Sequence, residues 1–187
     1  MLIRSVTLGL NSQNVDLLTL ENKISNFFDQ ANTIFDTNSL NLRTQRIGLT
    51  PYNINSHDEQ KSALENIKTI SQICKNNNIR WFAVPFNMIK QNHEMTNHTA
   101  LKVMKECENT FINFLATDGK SIDTNAIKSS AEFVKSVSQL SDTGFDNFRY
   151  GVSFNTKPNG AFFPFMHHDG SDGFSLALEL ILPIVNV

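Results

Sequence analysis

The sequence predicts one α/β domain whose strands and helices alternate, with a curved or partial barrel-like sheet and the helices outside it. Stretches with an apolar residue at every second position alternate with stretches whose apolar residues lie three and four apart, a pattern typical of strands and helices in turn. The stretch Phe148–Asn155 also has one apolar and one polar face. A parallel strand with helices on both sides is usually apolar throughout, so the polar face favours a barrel-like interior.

The length and composition are those of a single soluble domain. The 187 residues are 40% hydrophobic and 18% charged, which is enough apolar material for one sizeable core. No repeat, low-complexity tract or linker interrupts the pattern, so residues 1–187 are assigned to one domain. The net charge of −2 and the sequence pI near 6.2 give no basic patch, so we expect no nucleic-acid partner.

The sequence also predicts the compartment. The first apolar stretch, residues 2–10, is short and is interrupted by Arg4, so it is neither a signal peptide nor a membrane span. We therefore expect a cytoplasmic protein without a membrane partner. Cys74 and Cys107 fall in predicted helices, and we expect them to remain reduced, as small buried apolar residues.

The elements follow from local periodicity, and each is bounded by a capping or turn signal. Trp81 and the abundant phenylalanines occur at strand and helix spacing, which favours core positions over a stacking surface. The predicted elements are a strand at 2–10, a helix at 15–35, a strand at 40–49, a helix from about 56 to 76, a strand at 79–84, a short helix from about 97 to 107, a strand at 110–116, a helix from 123 to about 137 and a strand at 148–155.

Two side chains are predicted to cap helices. Short polar side chains accept a hydrogen bond from the backbone N–H groups that the first turn leaves free. The predicted caps are Asn14 and Asn97. Two further helices are predicted to start near Ser56 and at Asp123.

Three stretches, in this order, resemble one known family. They are Ile3–Gly9 (IRSVTLG), Leu42–Ile47 (LRTQRI) and Asn147–Ser153 (NFRYGVS), the last running into Phe162–Pro164. The family is the one called domain of unknown function 711, whose members show a similar IRTITLG start, a QTxR strand and a late NxRF…PFFP…H block. The sequence matches that last block through to its histidine pair.

The resemblance implies a barrel-like α/β fold of the kind shared with pyruvate formate-lyase and other glycyl radical enzymes. It implies no established reaction. Family members are typically much longer than this chain, so the resemblance implies that residues 1–187 are the N-terminal part of a larger barrel. Glycyl radical enzymes need a glycine in a C-terminal loop and a cysteine inside the barrel. Neither is identifiable in this sequence, so radical chemistry is not inferred from the fold.

The predicted substrate-binding residues are polar and charged side chains in predicted strands. Burying a charge there is costly unless the charge is paired with a partner or a ligand. Arginine binds carboxylates and phosphates through two hydrogen bonds, so several arginines facing the interior would form an anionic small-molecule pocket. The alternative is that each arginine lies at a strand edge or pairs with Asp36, Asp146 or Glu179. The candidates are Arg43, Gln45, Arg46, Arg149, Ser153 and Asn155.

The predicted catalytic residues lie in a glycine-flanked loop that carries two histidines. His167 or His168 would act as a general acid or base, because imidazole titrates near physiological pH. Together with Asp169, both histidines could also bind a divalent metal. A loop without an ion is the favoured interpretation, since no further ligand occurs at a defined spacing. The identity of any cofactor is left open.

Functions of two classes remain open. The first is an enzyme, or part of one, that binds a small anionic metabolite in a barrel cavity. The second is a non-catalytic module whose apolar stretch Phe174–Val185 docks onto a partner. An inactive truncated homologue is a further interpretation. Because such an apolar stretch is not expected in water, the sequence also predicts a homo-oligomer or a second chain that completes the barrel.

Overall fold

The computed structural model describes residues 2–13, 15–117 and 119–179. Strands and helices alternate along this part of the chain, which confirms the predicted α/β class. The elements are β1 (Leu2–Leu10), α1 (Leu17–Thr37), β2 (Asn41–Leu42), β3 (Gln45–Leu49), α2 (His57–Asn76), β4 (Trp81–Asn87), α3 (His93–Glu106), β5 (Thr110–Leu115), α4 (Thr124–Ser138), a 3-10 helix (Phe145–Arg149), β6 (Tyr150–Ser153) and β7 (Gly173–Glu179).

The strands form one seven-stranded sheet in which all neighbours are parallel except β7, which runs antiparallel to β1. Because β7 pairs with β1 from Leu2 to Gly9 along one edge, β2 and β3 must share the other edge of β1. They are therefore two halves of one interrupted strand, the strand predicted at 40–49. The sheet continues through β4 and β5 to β6 and does not close on itself within the described residues.

The helices cover one face of this sheet. A single buried cluster joins alternate strand residues, such as Leu8, Ile47 and Phe82, to the apolar faces of all four helices. In β1 the pairing with β7 shifts between Ile3 and Ser5. This irregularity puts Ile3 into the core beside Val6 and turns Ser5 to the opposite side. Helices on one side of an open sheet are consistent with the predicted partial barrel.

The opposite face, called here the polar face, carries the side chains that alternate with the core residues. It is the barrel-interior side in the predicted fold. Its residues include Ser5, Thr7 and Gly9 of β1, Arg46 and Gly48 of β3, Trp81 and Ala83 of β4, Phe111 and Asn113 of β5, Gly151 and Ser153 of β6, and Ser175 of β7.

The crossing loop, defined as residues 154–172, connects β6 at one edge of the sheet to β7 at the other. It therefore passes over the polar face, and its backbone is fixed there by a hydrogen bond from the His168 N–H to the Leu49 carbonyl at 3.0 Å. Glycines below the loop allow this close approach. The nearest side chains are Phe165 over Gly151, Met166 over Gly48 and His168 over Gly9.

The predicted starts of two helices, near Ser56 and at Asp123, are confirmed. Ser56 forms a capping box with Glu59 at the start of α2, and Asp123 accepts from the N–H groups that open α4. Asn14 lies outside the described residues. The side chain at the start of α1 is Asp16, which accepts from the Thr19 N–H at 2.9 Å.

The predicted cap Asn97 is wrong. Helix α3 begins four residues earlier, at His93, because Asn92 accepts from the Met95 N–H at 3.1 Å. The side chain of Asn97 instead donates to the Ser129 hydroxyl of α4 at 2.9 Å. An asparagine that joins two helices was therefore mistaken for one that starts a helix.

The strand predicted at 148–155 is shorter in the structure. Residues Phe145–Arg149 form a 3-10 helix, and only Tyr150–Ser153 pair with β5. Phe148 and Phe154 are exposed at 72% and 51%, so they do not continue the apolar face of the strand.

Strand β7 was not predicted, because the stretch from Phe174 was interpreted as a docking segment. The structure pairs Gly173–Glu179 with β1.

Within the described part of the chain, no helix combines the length and apolar character that crossing a bilayer requires.

Candidate functional site

The centre of the polar face is a row of side chains on neighbouring strands. Thr7 of β1 pairs with Arg46 of β3, and Arg46 pairs with Trp81 of β4. On the other side, Thr7 pairs with Ser175 of β7. Directly paired residues on adjacent strands point to the same side, so the two hydroxyls, the guanidinium and the indole share one surface.

Arg46 carries a positive charge that has no acidic partner among the described residues. Its Nε is fully buried without a hydrogen-bond acceptor, and its Cζ lies 4.8 Å from the centre of the Phe163 ring in the crossing loop. Burial, followed by repulsion from Arg4 and Arg80, lowers the pKa of Arg46. An arginine nevertheless stays charged, so this face has an uncompensated cation.

Arg43 and Gln45 lie away from the polar face. The Arg43 Nη1 binds both Glu179 oxygens, at 2.9 and 3.2 Å, on an exposed edge. The Gln45 Nε2 donates to the Asn32 oxygen of α1 at 2.8 Å. Both line an open cavity of about 610 Å³ at the amino ends of the strands. The Glu179 ion pair is the alternative that the sequence left open for Arg43.

Arg149 is held by groups that end α3 and begin β5. Its Nη2 donates to the carbonyls of Met104 and Cys107, at 3.0 and 2.7 Å, and to the Thr110 hydroxyl at 3.1 Å. Its Nε donates to the Thr110 carbonyl at 3.1 Å, and its Nη1 pairs with Asp146 at 3.0 Å. All three nitrogens are occupied, so Arg149 does not reach the polar face.

Ser153 and Asn155, the last predicted binding residues, are placed differently from each other. Ser153 is 5% exposed, lies below the crossing loop and donates to the Asn113 oxygen at 2.8 Å. Asn155 is exposed beyond the end of β6, where its N–H donates to the Thr117 hydroxyl at 2.5 Å. The polar face therefore contains Arg46 and Ser153 but not Asn155.

His168 is the titratable group built most firmly into the polar face. It is only 4% exposed and packs against Gly9. Its Nδ1 accepts from the Gly170 N–H at 3.1 Å, which requires the neutral tautomer with the proton on Nε2. Burial lowers the pKa of His168 despite the opposing effect of Asp169. The Asp169 oxygen 3.9 Å from Nδ1 therefore forms no ion pair with the neutral ring.

His168 borders a cavity of about 110 Å³ between the crossing loop and strands β1 and β7. Its Nε2 makes no hydrogen bond to any residue in the described ranges, whereas Thr7 and Ser175 add hydroxyls to the cavity wall. This volume accommodates a few water molecules or one small polar group. The cavity and Arg46 adjoin, because Thr7 lines the cavity and pairs with Arg46.

A family model matches residues 1–181 and is described as Uncharacterised ACR (DUF711). The chain belongs to this DUF711 family. The match confirms the resemblance that the three sequence stretches carry. No curated protein matches the chain, and the family description contains no reaction, so a function for this DUF711 domain has to be argued from its side chains.

The two adjacent histidines of the DUF711 domain do not share a site. His167 is half-buried, does not line the cavity, and has a buried Nδ1 without a partner. Its carbonyl accepts from the Asn159 N–H at 2.9 Å, and burial lowers its pKa. The position of His168 makes it the better placed of the two predicted acid–base residues.

The proposed metal ligands do not converge. Asp169 accepts from the Ser171 N–H at 2.9 Å, the Ser171 hydroxyl at 2.6 Å and the Asn159 amide at 2.7 Å. These donors hold the pKa of Asp169 at about 2. Within residues 2–13, 15–117 and 119–179, no three histidine, cysteine, aspartate or glutamate side chains are grouped to bind an ion. The Nδ1 of His168 is also already occupied.

Two features of this face were not predicted from the sequence. Asn113, an amide in the apolar strand β5, is fully buried, and its Nδ2 donates to the Met166 carbonyl at 3.4 Å. A lone amide in an apolar strand was the available signal. The prediction that Trp81 lies in the core is wrong, because Trp81 is half-buried on the polar face.

Proposed function

We propose that the polar face of this domain binds a small anionic metabolite, with Arg46 holding the anion. The observation that carries the proposal is the guanidinium itself, which is half-buried, has a buried Nε without an acceptor, and has no acidic partner among the described residues. A buried unpaired polar group costs on the order of 1–3 kcal/mol, and more when it is charged. A bound oxyanion would remove that cost by accepting from the guanidinium.

His168 is the proposed hydrogen-bond donor to the bound ligand. Its Nδ1 accepts from the Gly170 N–H, so the neutral ring carries its proton on Nε2, and His168 lines the cavity. A neutral imidazole donates a hydrogen bond through this N–H without releasing the proton. Proton transfer in either direction would first require the Gly170 hydrogen bond to break, because the imidazolium carries a proton on Nδ1 as well and a base needs a free lone pair on Nε2. The proposal is therefore that His168 polarises the ligand as a hydrogen-bond donor, and it extends to an enzyme or part of one.

The wider setting of the domain is also a proposal. We propose a fold related to pyruvate formate-lyase, with residues 1–187 as the N-terminal part of a larger barrel, in a cytoplasmic protein. An open sheet with its polar face opposite the helices supports the barrel. The free, buried cysteines Cys74 and Cys107 are compatible with a reducing compartment.

We also propose that another surface covers β7, either a second copy of the chain or a chain that completes the barrel. Phe174, Leu176 and Leu178 are exposed at 62%, 44% and 46% on the helix side of this edge strand. Such an apolar row is a usual site of association. Sedimentation of the wild type and of Leu176→Thr tests this, and a wild type that stays monomeric at all concentrations would exclude the homo-oligomer.

The anion-binding proposal is tested by thermal shift with a panel of small carboxylic and phosphoric acids. A ligand that binds only the folded state raises its melting temperature in proportion to the logarithm of ligand concentration. We expect at least one acid to raise the melting temperature of the wild type and of Arg43→Ala, whose arginine pairs with Glu179. Arg46→Ala should lose the response. A panel without effect, or an undiminished response in Arg46→Ala, would refute the proposal.

A second measurement tests the role of His168. His168→Gln retains a hydrogen-bond donor, whereas His168→Leu does not. We expect His168→Gln to keep the thermal response to the acid and His168→Leu to have a smaller one. If both variants respond like the wild type, His168 donates no hydrogen bond to the ligand.

A further inference from the structure

Three aromatic side chains, two from the sheet and one from the crossing loop, lie around Arg46 at the polar face. The Arg46 guanidinium lies over Phe163, and Phe163 packs edge-on against Phe111 with ring centres 5.6 Å apart. Phe111 packs in the same way against Trp81 at 5.3 Å. Trp81 is the direct cross-strand neighbour of Arg46. The four side chains therefore surround one patch of surface, called here the aromatic ring site.

None of these four side chains belongs to the hydrophobic core. Each is half-buried, and none is part of the buried cluster on the helix side of the sheet. Core packing therefore does not explain why three large aromatic residues occupy neighbouring positions on a face otherwise made of small and polar residues. Partly exposed aromatic rings present flat apolar surfaces, on which another flat group can stack.

The charge around this site is positive. Arg80 lies with its Cζ 5.5 Å from the centre of the Trp81 ring, and Arg46 is close enough to Arg80 and Arg4 for their charges to repel. Arg4 is neutralised in part by Glu179, 3.8 Å away. Neither Arg46 nor Arg80 makes a salt bridge within the described ranges, so the aromatic ring site combines flat apolar walls with unbalanced cations.

We propose that the ligand of the polar face is a planar aromatic carboxylate, whose carboxylate binds Arg46 and whose ring lies beside Trp81. This inference rests on the proposed anion-binding function and names its substrate class. One carboxylate matches one guanidinium in charge and in planar geometry. The cross-strand pairing of Arg46 with Trp81 places the indole where a ring attached to that carboxylate would lie.

The experiment uses Trp81, the single tryptophan of the chain, as the reporter. The full chain is titrated with benzoate, cyclohexanecarboxylate, acetate and benzyl alcohol while tryptophan fluorescence is recorded. Benzoate should give a saturable change. Stacking of one ring on an aromatic side chain is worth about 1–3 kcal/mol, so benzoate should bind at least about fivefold more tightly than the non-planar cyclohexanecarboxylate. Benzyl alcohol, which lacks the anion, should give no saturable change.

Variants separate the two contributions. Phe163→Leu should weaken benzoate binding severalfold and leave the competition by acetate unchanged, whereas Arg46→Lys should weaken both acids. Phe145→Leu, which alters an exposed ring on the 3-10 helix, is the matched control and should bind benzoate like the wild type. If Phe163→Leu does not fold, Phe111→Leu takes its place.

The outcomes distinguish this inference from the function on which it rests. If benzoate and cyclohexanecarboxylate bind equally well, or if Phe163→Leu and Phe111→Leu leave benzoate binding unchanged, the aromatic class is wrong while anion binding at Arg46 stands. If no acid binds in either the fluorescence or the thermal assay, both are wrong.

Discussion

The His168 ring packs directly against the backbone of Gly9, in the space that a side chain at position 9 would occupy. An ideal Cβ built on Gly9 would lie 2.0 Å from two atoms of the imidazole ring, and one on Gly48 would lie 2.7 Å from the Met166 methyl group. The absence of side chains at these positions is therefore what lets the crossing loop lie on the sheet. It also fixes the position of the ring that we propose as a hydrogen-bond donor to the ligand.

A methyl group at position 9 should displace this ring. Gly9→Ala is expected to lower the free energy of unfolding by about 1–3 kcal/mol, the usual cost of overpacking a filled site, as measured by urea denaturation. Gly160→Ala is the control, because a Cβ there would meet its nearest neighbour only at 3.8 Å. Equal stability of the two variants would mean that the loop does not rest on Gly9.

Burial of the two histidines predicts how stability depends on pH. The pKa values of His167 and His168 are lowered in the folded chain, whereas unfolded imidazole titrates near its ordinary value of about 6.5. The unfolded state therefore binds more protons in this window. Stability should fall as the pH decreases through about 6.5 and stop falling from this cause below the folded pKa.

Denaturation at a series of pH values measures this slope. His168→Gln should have a shallower slope than the wild type, because it lacks one of the two depressed imidazoles. A slope that is identical in the wild type, His167→Gln and His168→Gln would show that neither imidazole is depressed.

Arg149 organises secondary structure elements rather than a ligand site. Its guanidinium joins the last carbonyls of α3 to the first residue of β5 and to Asp146 of the 3-10 helix. A planar fork with several fixed donors suits this task, whereas the single ammonium group of lysine cannot reach all of the acceptors.

Arg149→Lys should therefore destabilise the domain by about 2 kcal/mol or more, since charged hydrogen bonds are worth about 1.5–3 kcal/mol each. Arg43→Lys should cost less than about 1 kcal/mol, because Arg43 forms an exposed ion pair. Chemical denaturation measures both. Arg149→Lys should still respond to the acid that stabilises the wild type. Loss of that response without loss of stability would place Arg149 in the binding site instead.

Local patterns in the sequence predicted the helices and most strands because those patterns need no distant partner. Ser56 and Asp123 cap helices within three residues of themselves, and the sequence shows both ends of that interaction. The hydrogen-bond partners of Arg149 could not be predicted in this way. The carbonyls that it binds belong to residues about 40 positions earlier, and no residue type in the sequence identifies a backbone carbonyl as an acceptor.

The candidate site was predictable only in part for the same reason. Thr7 could be assigned to a polar strand face from its alternation with apolar neighbours. For the second strand the sequence left two registers open, one with Thr44 and Arg46 on the polar face and one with Arg43 and Gln45. The register that pairs Arg46 with Trp81 and Thr7 with Ser175 depends on β4 and β7, far away in the chain. The pattern of β7 was present, with Ser175 and Ala177 alternating with larger apolar residues, but this stretch was interpreted as a docking segment.

At the scale of the whole molecule, strand position predicts local stability. β4 is hydrogen-bonded on both sides, whereas β6 and β7 lie at the edges of the described sheet. Hydrogen exchange should be slowest for the amides of β4 and its neighbours and faster for those of β6 and β7. Exchange in β7 as slow as in β4, followed by mass spectrometry, would show that β7 is not an edge strand in solution.

The antiparallel pairing of β1 with β7 has a consequence for biosynthesis. The strand Leu2–Leu10 leaves the ribosome before its partner Gly173–Glu179, which follows more than 160 residues later. At roughly 5–20 residues per second, one side of the nascent strand waits on the order of ten seconds for its neighbour. The backbone groups on that side of β1 are unpaired during the interval, so a chaperone or another strand can bind them until β7 is made.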